Sequence, residues 1–265
     1  MTSKPIHSIP TKDLYARWAK VYDSDGNILQ SIDDHFLPSL LTQAFSLVPS
    51  SSSSSSSPIT ITELGAGTGR NTVKLLQPRQ GVKIENINAL DLSPEMLALA
   101  KARCSSPPSA PSPKVDFYEF DALQPSSFPE VQALEGKAGL VLSTLVLEHL
   151  PLKTFFETAK RLLKPNGVVV MTNMHAEMGR LSRAGFTDTD TASGNVKVKV
   201  QGDSFVYEIE EVLEAGREEG FEMVGEMLQR GVGEGDVGVI VGERGVKWVG
   251  VSVWFGCVMR LGGKE

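Results

Sequence analysis

Gly65, Gly67 and Gly69 fall within five residues, two positions after Glu63 and at the end of the short apolar alternation "ITITEL". Such a turn brings backbone close to a ligand. The helix that follows offers free N–H groups to an anionic or nucleotide-like group. Two common versions can be tested by counting. A phosphate-binding loop needs a second glycine after four residues, followed by Lys and Ser or Thr. Counted from Gly65, that glycine falls on Arg70, and no lysine follows. The dinucleotide fingerprint needs its third glycine at the same place, where helix must pack on strand, and Arg70 again stands there.

Further residues able to do chemistry follow in order. Asp91 in "INALDLSPEML" lies about 20 residues beyond the turn, where the next strand ends beside the first. Asp121 and Ala122 end "FYEFDAL". His149 lies in "LSTLVLEHL" and His175 in "TNMHAEMG". Either histidine could act as a general base or orient an acceptor, and either could equally be structural. Met174 and Met178, flanking His175, suit an apolar acceptor pocket or a core gap.

These residues need a scaffold, and the pattern after residue 57 supplies one. "ITITEL", "IENINALDL", "VDFYEFDA", "AGLVLSTLVL" and "VVVMTN" read as five strands. Helical stretches separate them. One begins at "TGRNTVKLLQ". A second, "SPEMLALAKAR", has Ser93 as N-cap and Pro94 at the first helical position. A third, "LKTFFETAKRLL", places Phe155, Phe156, Ala159 and Leu162 on one face and ends at "KPNG". Alternating apolar strands and helices predict a parallel sheet covered on both faces. "EIEEVLEAGREEG" reads as a further helix. "FEMVGEMLQR" and "KWVGVSVWFGCVMR" read as two strands joined by a glycine-rich loop, hence an antiparallel pair.

Before residue 50, "DLYARWAKVYD" places Tyr15, Trp18, Ala19 and Tyr22 on one helical face, and a second helix is expected around residues 33–47. The serine run "PSSSSSSSSP" reads as a linker, and "CSSPPSAPSPK" as a surface loop. Residues 179–207 break the alternation; "VKVKV" within them suggests an exposed strand or hairpin.

The chain has 265 residues and a formal net charge of −6. Its acidic balance argues against a nucleic-acid partner. Its apolar runs are strand-length, which argues against a membrane span. Two distant cysteines and no Cys/His cluster suit a cytoplasmic protein, with the nucleus as the alternative, and no structural or catalytic metal is expected.

The spacing Glu63-x-Gly65-x-Gly67-x-Gly69, with Asp91, Asp121-Ala122 and "LSTLVLEHL" in that order, resembles the class I S-adenosylmethionine-dependent methyltransferases. The last segment is similar to the small-molecule branch of the ubiquinone/menaquinone-biosynthesis type. The resemblance implies a doubly wound, mostly parallel seven-stranded α/β sheet with an antiparallel last strand. It implies S-adenosylmethionine as cofactor and S-adenosylhomocysteine as product. Cofactor contacts are expected from Tyr22, Glu63, Gly65, Ala66, Gly67, Gly69, Asp91, Leu92, Asp121, Ala122 and Thr144. Asp91 would hold the ribose, Asp121 and Ala122 the adenine, and Glu63 the ammonium group. Tyr22, in "RWAKVYD", resembles a stretch that closes over the cofactor in this family. His149 and His175 are the catalytic candidates.

Three units follow from this. Residues 1–49 form an N-terminal helical cap, 50–57 a poly-serine linker, and 58–265 the methyltransferase domain, with 179–207 as a lid-like insert. The expected activity is methyl transfer to a small, largely apolar acceptor on O, N, S or C. No motif for amide nitrogen, nucleic-acid base or catechol-type metal chemistry is found. A protein methyltransferase, a non-catalytic binding protein of the same fold, and a dehydrogenase with an aberrant fingerprint are the alternatives.

Overall fold

The computed structural model describes residues 5–48, 58–78, 81–105, 113–190 and 196–262. The poly-serine run and most of "CSSPPSAPSPK" lie outside the described residues.

The chain opens with a short strand β1 (Ile6–Ser8), helix α1 (Thr11–Trp18) and the longer helix α2 (Ile28–Leu47). Strands and helices then alternate: β2 (Ile59–Leu64), α3 (Thr72–Leu75), β3 (Ile84–Asp91), α4 (Pro94–Cys104), β4 (Lys114–Glu119), α5 (Pro129–Gln132), β5 (Ala138–Thr144), α6 (Leu152–Leu162), β6 (Leu163–Met174) and α7 (Ala176–Leu181). A hairpin of β7 (Gly185–Asp190) and β8 (Val196–Gln201) follows. Helix α8 (Ile209–Glu218) and the strands β9 (Phe221–Gly231) and β10 (Ser252–Leu261) complete the chain.

Seven strands form the main sheet in the order β4-β3-β2-β5-β6-β10-β9. The five strands from β4 to β6 in that order pair in parallel. β10 runs antiparallel to both of its neighbours. This is the doubly wound sheet with a reversed last strand that the sequence predicts. Alternate residues face opposite ways. Ile61, Ile87, Leu140, Leu142, Val168 and Val170 therefore join one buried cluster, and Leu64, Leu90, Val141, Val169 and Met171 the other. α2 covers the first with Leu37, Leu40, Leu41 and Ala44; α6 covers the second with Phe155, Phe156 and Ala159.

Three local readings change. α2 begins at Ile28, because Asn27 caps it and accepts from the Leu29 N–H at 3.0 Å. It packs as a layer on one face of the main sheet. α3 is a single turn, because Pro78 disfavours helix in the residue before it and the chain must turn back toward β3. In the insert, β8 pairs with β7 and with β1 to make a second, three-stranded sheet. Val198 and Val200 are buried there with Phe186 against Leu14 and Trp18. Val198 and Val200 of "VKVKV" are thus a packed face, with the lysines on the other side of the strand. No helix among the described residues is long and apolar enough to cross a membrane.

One carboxylate joins the layers. Asp33, on α2, is fully buried. Its Oδ2 accepts from Arg70 Nη2 at 2.9 Å and Asn71 Nδ2 at 3.2 Å. Its Oδ1 accepts from Thr172 Oγ1 at 2.5 Å on β6 and Trp254 Nε1 at 3.1 Å on β10. Four donors satisfy the group completely, as a buried charge requires. Asp33→Ala leaves the guanidinium and three donors without their acceptor. Its expected effect is a loss of about 3–5 kcal/mol in unfolding free energy, read from urea melts; a change below about 1 kcal/mol would remove Asp33 from this role.

Candidate active site

β2 is followed in space by β5, although the chain runs outward through β3 and β4 before returning. Ligands of open α/β sheets bind at such a reversal, beyond the carboxyl ends of the strands. A cavity of about 410 Å³ lies there. Its walls come from the turn after β2 (Gly65, Gly67), the end of β3 (Asp91, Leu92), the segment after β4 (Asp121, Ala122) and the segment after β5 (Thr144, Leu145, Val146, His149). Tyr15 and Tyr22 approach from the N-terminal segment.

Nine of the residues singled out from sequence therefore share one cavity: Tyr22, Gly65, Gly67, Asp91, Leu92, Asp121, Ala122, Thr144 and His149. Glu63, Ala66 and Gly69 stand behind its wall. The Glu63 carboxyl is buried and accepts from Thr72 Oγ1 at 2.6 Å; burial pushes it up to about 8. Ala66 donates its N–H to Leu90 O at 2.8 Å and anchors the turn. His175 is not brought to the cavity. It caps α7, its Nδ1 accepting from the Glu177 N–H at 3.1 Å, and its Nε2 meets Gln229.

The three glycines do different work. All have positive φ. A Cβ on Gly65 would lie 2.1 Å from Val146 Cγ2, and one on Gly69 would lie 2.9 Å from the Ala100 backbone of α4. A Cβ on Gly67 would meet no protein atom within 4 Å. Gly69 thus permits helix packing, whereas Gly67 keeps open a space that a side chain would fill.

Asp91 is fixed by the backbone. Its Oδ2 accepts from Gly67 N at 2.7 Å and its Oδ1 from Ser93 N at 2.8 Å. Burial raises its pKa to about 6, against those hydrogen bonds. Asp121 accepts from Leu123 N at 2.8 Å and orients the next wall. Thr144 Oγ1 accepts from Asn71 Nδ2 at 2.8 Å, which ties β5 to the glycine turn. His149 Nε2 lies 2.8 Å from the Tyr15 hydroxyl. Burial lowers its pKa to about 4, so the ring is neutral at neutral pH.

The roof is clasped to the turn. Asp23 accepts from Thr68 Oγ1 at 2.8 Å and from Arg103 Nη2 at 2.6 Å. Arg103 also donates to Thr68 Oγ1 at 3.2 Å. Tyr22, the neighbour of Asp23, is thereby held over the cavity.

A second, smaller cavity of about 80 Å³ adjoins the first, and Tyr15, Tyr22 and Leu145 line both. Met174 and Met178 line it, but so do Asp25, Glu148, Arg183, Arg244 and Lys247. The apolar pocket expected around the methionines is therefore a mixed one. Leu145, between the cavities, has φ 57°, a strained value for a leucine. In sequence Tyr15 reads as a packing residue and Glu148 as the neighbour of a histidine, and no local pattern marks Arg244 and Lys247, which the loop before β10 delivers.

Comparison with known proteins agrees with this geometry. The family model described as a methyltransferase domain matches residues 62–171. An uncharacterised methyltransferase of Emericella nidulans is 36% identical over 267 residues, covering 95% of this chain and 91% of the relative. The structure of DhpI in complex with S-adenosylhomocysteine superposes with a TM-score of 0.55 at 16% identity, covering 95% of each chain. A SAM-dependent methyltransferase from Methanosarcina mazei gives 0.52 at 13% identity, covering 79% of this chain and 95% of that one.

The cavity fits that cofactor. Its volume falls within the range of about 300–1,000 Å³ usual for ligand pockets. Asp91 can accept hydroxyl hydrogens, and Gly67 leaves room beside it. Gly67→Val, strained at its positive φ but clear of protein atoms, should cost less stability than Gly69→Val, whose Cβ meets α4, and should lose S-adenosylhomocysteine binding. Thermal melts with and without the ligand separate the two. Ligand-induced stabilisation surviving in Gly67→Val would place the cofactor elsewhere.

Proposed function

The chain belongs to the methyltransferase family and is an S-adenosylmethionine-dependent enzyme of the class I fold, and on that premise we propose that it methylates a small-molecule acceptor held in the smaller cavity. The observation that carries this reading is the shared wall. Two cavities of unequal size meet at Tyr15, Tyr22 and Leu145, and only the larger is lined by the glycine turn and its acidic partners. The smaller is bordered by the N-terminal helices and by residues 182–185 of the insert. A concave site of this size suits a small acceptor better than a polypeptide. The "LEHL" segment after β5 supports placing the enzyme near the ubiquinone/menaquinone-biosynthesis branch.

When bound, S-adenosylmethionine supplies the electrophilic methyl group and its own leaving group. What this chain must do is hold both partners at near-attack distance and keep water out. In the larger cavity Asp91 would hold the ribose hydroxyls, with Asp121 and the Ala122 N–H toward the base. Gly65, Leu92 and Thr144 would complete the walls. Glu63, Ala66 and Gly69 would act behind them, by shaping the turn. Tyr15 and Tyr22 would close the junction. His149, neutral and paired with Tyr15, is suited to orienting that hydroxyl. A base works best with a pKa near the operating pH, and a value about 4 leaves His149 too weak for that role.

Asp91→Ala is expected to weaken S-adenosylhomocysteine binding about tenfold or more, the scale of a hydrogen bond to a charged group, by calorimetry. Unchanged affinity in a folded variant would overturn the assignment. The wild-type chain adds a pH test. The pKa of Asp91 is raised to about 6, so the ionised acceptor is present above that pH and lost below it. Affinity should be level from about pH 7 to 8 and fall roughly tenfold by pH 5. A flat profile would separate Asp91 from the ligand.

A further inference from the structure

The smaller cavity carries a charge pattern opposite to that of the whole chain. The protein has a formal net charge of −6, yet Arg183, Arg244 and Lys247 all line this cavity. Arg244 and Lys247 come from the loop between β9 and β10, Arg183 from the segment after α7. Among the described residues neither Arg244 nor Lys247 is in an ion pair. Arg244 donates to the backbone oxygen of Asp25. Arg183 has one exposed partner, Asp203, at 3.8 Å. Partial burial, with the positive charges of Arg244 and Lys199 beside it, holds the Lys247 ammonium below its ordinary value.

Two carboxyl groups share the cavity; Asp25 lies near enough to Arg244 to feel its charge, which leaves Lys247 and Arg183 in excess. Asp25 is engaged by Trp18 Nε1 at 2.8 Å and Asn27 N at 2.9 Å. Glu148 sits deeper. It is 3% exposed, and its Oε2 is buried with no hydrogen-bond partner. Burial pushes its carboxyl up to about 8. A buried carboxyl oxygen without a partner costs about 1–3 kcal/mol or more, unless a ligand supplies the donor. The cavity thus offers a carboxyl with one unpartnered oxygen at depth and three cations at its rim, of which Lys247 rests over the Trp248 ring at 4.9 Å and none is in a buried ion pair.

We propose that the methyl acceptor is itself an acid: a small molecule whose O–H or N–H end hydrogen-bonds to Glu148 and whose carboxylate or other anionic end is read by Arg244 and Lys247. The inference rests on the reading of this cavity as the acceptor site. About 80 Å³ is less than the roughly 150 Å³ cavity that holds a benzene ring, so the deep end takes only the reacting group and the atoms next to it. The anionic end then reaches the exposed rim. The proton that the acceptor's O–H or N–H loses on methylation passes to the Glu148 carboxylate, so Glu148 is a catalytic residue, and Arg244 and Lys247 are specificity residues.

The test uses the full chain and S-adenosylmethionine carrying a trideuterated methyl group. A deproteinised extract of the source organism is split by ion exchange into acidic, neutral and basic fractions, and each is searched by mass spectrometry for labelled products. Label in the acidic fraction is expected. The exposed double substitution Arg244→Gln with Lys247→Gln should raise the amount of that fraction needed for half-maximal labelling about tenfold, with S-adenosylhomocysteine affinity within about twofold of wild type. Glu148→Gln should raise it as well, with the thermal melt unchanged. Label confined to the neutral or basic fractions overturns the acidic acceptor and leaves the small-molecule reading standing, as does an unshifted requirement in the double variant. Label in no fraction, or only in the protein removed from the extract and assayed in parallel as a separate pool, overturns the small-molecule reading itself.

Discussion

A single buried carboxylate, Asp33, holds the architecture in register. It accepts from four side chains on three separate parts of the fold: Arg70 and Asn71 after the glycine turn, Thr172 on β6 and Trp254 on β10. Burying such a group is favourable only when every lone pair is used, so all of these elements must be in place together. Arg70 takes on a positive meaning here. It occupies the position where a dinucleotide fingerprint has its third glycine, and it spans from the turn to Asp33 and Asp34 on α2. The residue that rules out the phosphate-binding versions of the turn is the one that docks α2 on it.

The same network reaches the junction between the cavities. Thr172 donates its hydroxyl to Asp33 and accepts the Leu145 N–H through its backbone oxygen at 2.8 Å. Leu145 is thereby held in a left-handed conformation that costs about 1–2 kcal/mol for a residue with a Cβ. The next residue, Val146, fills the space that a side chain on Gly65 would need. Strain at Leu145 and the absence of a side chain at Gly65 are two consequences of bringing the segment after β5 tight against the turn after β2. That closeness makes a single ligand able to touch both.

The sheet was legible because its strands repeat with period two and its helices start at recognisable caps, as at Ser93. The cofactor side was legible because its residues follow strand ends in chain order, so spacing along the sequence maps onto neighbouring places along one edge. The rest involves pairings that no local pattern encodes. Asp33 lies 139 residues from Thr172 and 221 from Trp254, and an aspartate on an apolar helix reads as surface. His175 follows a strand end as regularly as His149 does, but its backbone turns away to start α7. Glu63 matches its motif position, yet the side-chain alternation of β2 sends it to Thr72 behind the wall. The small cavity draws on segments around residues 15–29, 145–148, 174–185 and 244–248, which only the folded chain brings together.

The two cavities divide the electrostatic work. The larger is bordered by Asp91 and Asp121, and carboxylates suit a ligand rich in hydroxyl and amino donors that carries a cationic centre. The smaller has cations at its mouth and a carboxyl at depth whose charge burial suppresses. Between them stand Tyr15 and Tyr22, whose ring faces attract a cation without offering it a nucleophile and whose bulk excludes water. Group transfer from a cationic donor would gain from such an arrangement, because donor and acceptor would each be drawn to its own side. The carboxylates that build this junction, Asp23 and Asp33, lie in the N-terminal segment that clasps the glycine turn. Docking of that segment on the sheet and completion of the cavity's wall are therefore linked through the same hydrogen bonds.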